Sequence, residues 1–510
     1  MTKESKTSLE VAPQPPTLET GSVHGPDNKE LNRVADEAAH YLHDHEQEWA
    51  NYDPSEAAYV LRKIDWRLMP LLVGTITIAA VDKIVISNAA LYGMTKDTHL
   101  KGQEYSWVGS IFYFGWLVAE YPMNVVLQKL PVGKSLSAAV LIWGAMVMCL
   151  AAAKNAPGLM VMRFILGALE AIEFPAVTVL NTMWYKKSEQ PIRMALTFTA
   201  FSSLVTGVLS YGIGRTHTAI ASWRLLFLVL GAITIVWGAI LLLFLPDSPL
   251  KESFLKGKEK YIALDRVKDN MTGIENKHLK WYQVREAFTD YKTYLLFFFF
   301  FCMNVPTGGL VTFAAQIVSG LGYSPLNTVL LGMPTGMIQS LAGFMVAIPQ
   351  RWLKNKRCIS CAICCLVPLA CSILIRKLPS ENKVGRLLSY YFFYFFWGPY
   401  ATALSLPMAN VSGHSKKTTI NATVFLAYCI ANIVGPQVFI STEAPAYTTG
   451  YNSILGFEVA AILCMLGYMV GCIIENRIRD KREGTNVEVT MDEQLEDLTD
   501  YEKRGFRYVY

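Results

Sequence analysis

The sequence predicts an all-α polytopic membrane protein with twelve transmembrane helices arranged as two six-helix bundles. Three observations carry this. Of 510 residues 52% are hydrophobic and only 17% charged, against roughly 25% charge in an average soluble domain. Apolar runs long enough to cross about 30 Å of hydrocarbon at 1.5 Å per residue recur along the chain. One charged interval without such a run divides them into equal sets.

The runs fall at residues 68–91, 107–130, 135–153, 158–184, 194–214 and 223–245, then at 294–315, 329–348, 358–375, 387–408, 420–440 and 454–474. Residues 61–245 therefore form an N-terminal bundle and 293–475 a C-terminal one. Residues 246–292 are the central cytosolic loop and 476–510 a cytosolic tail. Residues 1–60 hold Pro-rich and acidic stretches such as Val11 to Pro16 and Glu46 to Glu56, which predict a disordered cytosolic tail with no cleavable signal peptide.

Orientation follows from basic residues beside the spans. Arg62, Lys63 and Arg67 precede the first; Lys186, Lys187 and Arg193 follow the fourth; Arg351, Lys354, Lys356 and Arg357 precede the ninth; Arg477 to Arg482 follow the last. They predict both termini in the cytosol, against the dissent of Arg376, Lys377, Lys383 and Arg386 on the outward side. The sequons at Asn270, Asn410 and Asn421 then face the cytosol or a helix start and are expected to stay unglycosylated. The net charge of +5 is dispersed in short clusters between spans, which argues for the lipid bilayer as partner and against nucleic acid.

An ionisable side chain in hydrocarbon costs several kcal/mol unless it faces a cavity or a partner, so the charged residues inside spans are the candidate site. The first span carries Asp82 and Lys83, whose side chains point about 100° apart and so need separate partners. In the fourth span Arg163, Gly167 and Glu170 share one face, with Glu173 a turn further and Pro175 beyond. Glu170 reads as a proton carrier. Arg163 reads equally as a substrate cation or an interhelical ion pair. Glu120, beside Pro122, is a further proton candidate or a partner for backbone freed by a kink. Asn304-Val305-Pro306-Thr307-Gly308-Gly309 predicts a break in the seventh helix suited to a substrate site. Tyr428 and Asn432 share a face of the eleventh span with Gly435, and Trp397 and Tyr394 in the tenth offer rings for stacking.

Absences narrow the function. The eight histidines lie in tails, loops or span edges, which excludes axial haem ligation inside the helices. Val132-Gly133-Lys134-Ser135 lacks the leading glycine of a phosphate loop, since position 128 is Gln, so the sequence supports no ATP-driven motor. The cysteines, including Cys358, Cys361, Cys364, Cys365 and Cys371, sit in apolar runs without His or carboxylate and read as packing residues, not metal ligands. No grouped nucleophile and base is present to support an enzyme, and no cofactor is expected.

The ordered set of motifs resembles the major facilitator superfamily, and within it the fungal anion:cation symporters of the allantoate permease type. It comprises Val81-Asp82-Lys83-Ile84, Tyr105-Ser106-Trp107 to Phe112-Tyr113-Phe114-Gly115, Arg163-Phe164 to Gly167-Ala168-Leu169-Glu170, Leu245-Pro246-Asp247-Ser248-Pro249, the Asn304 to Gly309 stretch, Gly332-Met333-Pro334-Thr335-Gly336, Ala431-Asn432-Ile433-Val434-Gly435-Pro436-Gln437, and the tail from Asp497 to Tyr508. The resemblance covers the chain from Asp65 onward. It implies two bundles rocking about a cavity lined mainly by the first, fourth, seventh and tenth spans. It also implies a plasma-membrane monomer that takes up a small organic anion with protons.

On that reading Lys83, Arg163, Asn304, Trp397, Tyr428 and Asn432 bind substrate, and Glu170, Asp82, Glu120 and Glu173 are the proton-coupling candidates. The expected substrate is allantoate or another ureido acid, with nicotinate-like or other vitamin carboxylates and short peptides as alternatives. A non-transporting nutrient sensor of the same fold, signalling through the acidic stretch Glu488 to Glu502, is the competing class. Lys83 departs from the Arg common in the wider family, and Lys cannot clamp a carboxylate bidentately.

Overall fold

The computed structural model describes residues 40–49, 51–186, 188–197, 201–250, 252, 254–271, 280–352, 355–444, 447–484 and 497–510. Residues 1–39, most of the acidic stretch after Glu488, and Lys187 and Lys354 of the basic clusters lie outside them. The described secondary structure is helical throughout. The first bundle comprises α1 (Pro54–Leu91), α2 (Glu104–Lys129), α3 (Val132–Leu150), α4 (Ala156–Trp184), α5 (Gln190–Gly214) and α6 (Ser222–Phe244). The second comprises α7 (Tyr291–Gly320), α8 (Pro325–Ala347), α9 (Arg357–Lys377), α10 (383–410), α11 (His414–Val438) and α12 (Thr448–Glu483).

Ten of these are long and apolar enough to cross a membrane. The other two are α2, with 26 residues, and α10, which is divided into Lys383–Phe393, a 3-10 turn Tyr394–Phe396, Trp397–Ala403 and Ser405–Asn410. Gly398, Pro399 and Pro407 fall in the divided part of α10, and each proline removes a backbone donor.

Several boundaries differ from the sequence reading. Helix α1 begins at Pro54, inside the expected tail, because Asp53 and Glu56 form a capping box ahead of it. Residues 40–49 are also helical, so the expectation of disorder does not hold there. The central loop carries helices Lys258–Met271 and Trp281–Thr289. The first ties back to the base of α1, through Lys63–Glu259 and Lys258–Glu56 pairs of 2.7 Å each.

Helix α7 is not broken at Asn304 to Gly309. It runs unbroken for 30 residues. Its glycines serve close approach instead: a Cβ on Gly308 would lie 2.9 Å from the Asn432 Cα, and one on Gly309 would lie 2.3 Å from the Phe439 ring.

Within the first bundle α3 packs on α6 and α2 on α4; in the second, α7 packs on α11 and α12, and α9 on α12. The α2–α4 contact is made by backbones. A Cβ on Gly167 would sit 1.9 Å from the Phe112 carbonyl oxygen, and one on Gly115 would sit 2.0 Å from that of Phe164, the small-residue contact by which membrane helices gain van der Waals packing. Gly167→Ala is therefore expected to lower the melting temperature and the monodisperse yield in detergent, at a cost of about 1–3 kcal/mol for overpacking. Gly212→Ala, with nothing within 4 Å of its Cβ, is the control that leaves both unchanged in a thermal-shift assay.

The two bundles meet through α1–α7, α2–α11 and α5–α8. Most hydrogen bonds between them gather at the end away from Pro54 and Glu483. Ser87 donates to Gln316 at 2.9 Å and accepts from the Ala315 N–H at 2.8 Å. Tyr105 donates to the Thr312 carbonyl at 2.6 Å, and Ser110 to that of Ile433 at 2.7 Å.

Candidate functional site: a charged cluster beside a central cavity

Between the bundles lies a cavity of about 220 Å³. Helix α1 contributes Lys83 and Asn88, α2 Tyr113, α5 Ser203 and Thr206, α7 Asn304 and Thr307, α8 Thr335 and Gln339, α10 Tyr390, Tyr394 and Trp397, and α11 Tyr428 and Asn432. Five of the six substrate-binding candidates thus meet on its wall, Lys83, Asn304, Trp397, Tyr428 and Asn432, together with the Tyr394 ring. Helix α4 supplies no lining residue among those described, which departs from the expected first, fourth, seventh and tenth set. The contact at Gly167 turns the charged face of α4 toward α1 and α2 rather than into the open space.

The adjacent residues of α1 find separate partners, as their angular spacing requires. The Asp82 carboxylate is buried and accepts a hydrogen bond from the Trp143 indole N–H on α3. Lys83 points toward α4, its Nζ 2.8 Å from Glu170 Oε2 and 3.9 Å from Glu173 Oε2. The same ammonium lies 4.6 Å from the centre of the Trp116 ring, a position in which the ring face attracts a cation.

Helix α4 is interrupted at Ala171 and Ile172, between the pieces Ala156–Glu170 and Glu173–Trp184. Across that interruption the two carboxylates, three residues apart, converge on one ammonium. The pair joins a wholly buried Glu170 side chain to a Lys83 side chain that keeps 16% exposure on the cavity side.

Arg163 is buried behind this cluster. Its guanidinium lies 4.8 Å from the Phe112 ring and its Nε 3.5 Å from the Val108 carbonyl. Its Nη1 has no hydrogen-bond partner among the described residues. Glu120 stands apart from the cavity wall, accepting from the Trp116 indole at 3.2 Å and holding Asn124 within its own helix.

On the wall, the Asn304 and Asn432 amides each donate to a carbonyl one turn back, Phe300 and Tyr428, at 2.7 and 2.8 Å. These bonds occupy an N–H and leave the amide oxygens for other partners. The Asn432 oxygen is buried and unpaired among the described residues. Across the bundle boundary Tyr428 meets the Tyr113 and Trp116 rings of α2 edge-to-face, with centroids 6.1 and 6.3 Å away, while those two rings stack on each other.

Sequence reading missed Asn88, Tyr113, Tyr390 and Gln339. Asn88 carried a usable signal, an amide on the same span as Lys83. Tyr113 and Tyr390 did not, since aromatic residues are common in membrane helices. Asn410, one of the sequons, is buried and bonded to the Val509 backbone and Tyr468, so no glycan fits there in this fold.

The profile described as Major Facilitator Superfamily matches residues 71–436. An uncharacterized transporter of Schizosaccharomyces pombe is 38% identical over 90% of this chain and 88% of its own length. The allantoate permease of Saccharomyces cerevisiae is 33% identical over 89% of this chain and 87% of its own. A crystal structure of a D-xylose-proton symporter superposes with a TM-score of 0.59 at 14% identity, covering 78% of this chain and 96% of that one. Twelve helices in two bundles around a central cavity, matched by sequence over most of their length, place this chain in the Major Facilitator Superfamily as a multi-pass membrane transporter of small molecules and not an enzyme.

Proposed function

We propose that the protein brings a small organic anion into the cell together with protons, by alternating access, at the plasma membrane and with both termini cytosolic. The observation that carries this is the Lys83–Glu170 contact of 2.8 Å at the cavity edge. Two cations, Lys83 and Arg163, share this region with three carboxyls, Asp82, Glu170 and Glu173. With all five ionised the cluster carries a net charge of 2 − 3 = −1, which repels an anion. Protonation of Glu170 removes that charge and frees the Lys83 ammonium for a substrate carboxylate. Loss of the proton restores the ion pair and expels the anion. Coupling thus arises from competition between two carboxylates for one lysine, in a low-dielectric site where such pairs are strong.

The cavity opposite Lys83 supports a ureido acid as substrate. The Asn88, Asn304, Asn432 and Gln339 amides offer the donors and acceptors that a ureido head requires, and an apolar acid would leave buried polar groups unpaired at about 1–3 kcal/mol each. The similarity to an allantoate permease agrees with this. The ring wall of Tyr390, Tyr394 and Trp397 favours the second reading, a flat aromatic carboxylate. A single chain encloses the whole cavity, which supports function as a monomer. The basic residues at the end where the described termini lie support its cytosolic placement.

Uptake of labelled allantoate in transport-deficient yeast, competed with unlabelled nicotinate, tests the assignment. Saturable uptake that rises in acid medium and resists nicotinate is expected. Strong competition by nicotinate without allantoate uptake assigns the aromatic carboxylate instead. Accumulation insensitive to external pH removes the proton from the cycle.

A further inference from the structure

After α12 the chain returns to the second bundle. Residues 497–510 lie along the helix ends on the side where α12 finishes, and they are held by side chains of α10, α11 and α12. The Asn410 amide, at the end of α10, pairs with the Val509 backbone in both directions at 2.7 Å. Arg479 of α12 donates to the Asp500 carbonyl at 2.7 Å and to the Tyr508 hydroxyl at 3.2 Å. At the start of α11 the His414 N–H donates to Asp497 at 2.7 Å. Burial works against the Asp497 charge, but this bond and the Lys280 ammonium hold its carboxyl below the usual carboxylate range.

Lys416 is the key of this arrangement. It is completely buried, although it lies only two residues into α11. Its Nζ is 2.7 Å from Asp500, 2.9 Å from Glu286 and 3.4 Å from Asp290, and the Tyr501 ring covers it at 4.2 Å. The nearest anion and the cover both come from the returning segment. Release of the segment would take from this buried ammonium its nearest carboxylate and its ring cover, leaving Glu286 and Asp290, so the surroundings of Lys416 depend on that segment being in place.

The segment binds the turn between α10 and α11, where Gly413 adopts φ 85°, and both helices supply cavity wall, through Trp397, Tyr428 and Asn432. Its contacts described above are all with the second bundle or the Lys280 end of the central loop, so it leaves the cavity clear. It acts on how the wall is held.

We propose that residues 497–510 are a releasable clasp that fixes the α10–α11 hairpin to α12 and the base of α7, and thereby sets transporter turnover. With the clasp seated the hairpin moves as one body with its bundle. With it released the hairpin flexes independently, and the rate of switching falls.

The test compares the full chain with one ending at residue 496, both in lipid nanodiscs, by hydrogen exchange. Exchange across residues 397–434 is expected to quicken about tenfold in the shortened chain and to recover when a synthetic peptide of residues 497–510 is added. Uptake of labelled allantoate, normalised to surface protein, is expected to lose about fivefold in maximal rate with an unchanged KM, the pattern of a gating defect. Unchanged exchange, or a change confined to residues 410–416, overturns the proposal whether or not allantoate is carried. An unchanged maximal rate with a quickened hairpin overturns the link to turnover. Should the shortened chain fail to reach the membrane, Asp500→Asn in the full chain carries the same two measurements and the same outcomes.

Discussion

Glu170→Gln is expected to abolish accumulation of substrate against its gradient, while exchange of labelled for unlabelled substrate across the membrane continues. Glutamine keeps the shape of the side chain and one acceptor oxygen near Lys83, but it neither gains nor loses a proton. The Lys83 ammonium, 2.8 Å from the native carboxylate, then stays available to a substrate carboxylate at every pH. The cavity loads and unloads without proton movement, so the proton gradient no longer drives it. The expected reading is a steady-state internal concentration equal to the external one, with the acid stimulation of uptake gone. Preloaded yeast or vesicles exchanging labelled substrate at acid and neutral pH provide the measurement. A Glu170→Gln protein that still concentrates substrate and still responds to external acid would move the proton site elsewhere, and Glu173, 3.9 Å from the same ammonium, is the next carboxyl to replace.

Lys83→Met is expected to have the larger effect, because it damages both stability and binding. Removing one partner of a buried ion pair typically costs about 3–5 kcal/mol, since the other charge is left uncompensated. Here Glu170 and Glu173 would both lose their cation. Uptake should fall below detection, and surface protein should fall with it. The double variant Lys83→Met/Glu170→Gln separates these causes. It removes the nearer of the two stranded charges and leaves Glu173, so surface abundance and melting temperature should recover in part while anion uptake remains absent. Uptake that returns in the double variant would show that Lys83 served only to neutralise Glu170, and the search for the substrate cation would pass to Arg163. Lys83→Arg is the conservative comparison. The planar guanidinium can grip a carboxylate bidentately, so it should retain uptake with an altered KM if the site holds an anion there.

Much of this architecture was legible in the chain. Apolar runs of the right length marked the twelve crossings, because a helix in lipid must satisfy its backbone internally and carry an apolar surface over its whole length. The cost of charge in hydrocarbon singled out Asp82, Lys83, Arg163, Glu170 and Glu173 before any geometry was known. Periodicity placed Arg163 and Glu170 on one face of α4, as in the structure, where both are buried.

What the chain alone did not disclose is which of these residues meet. Lys83 and Glu170 belong to different helices, and their contact depends on the depth at which α2 and α4 interlock through Gly115 and Gly167, a packing distance that no local pattern encodes. The same interlock keeps Arg163 off the cavity wall. Helix α7 misled for a related reason: a proline and two glycines within a span serve either to break a helix or to admit a neighbouring backbone, and only the presence of α11 against Gly308 decides between them. The returning segment was hidden for a third reason. It carries charged residues at Asp497, Asp500, Glu502, Lys503, Arg504 and Arg507, so in sequence it reads as a solvated tail, and only the tertiary structure supplies the buried Lys416 and Arg479 that hold it in place. Burial of apolar surface repeats along a sequence and can be read from it, whereas the pairing of charges across helices is set by the few ångströms at which those helices come to rest.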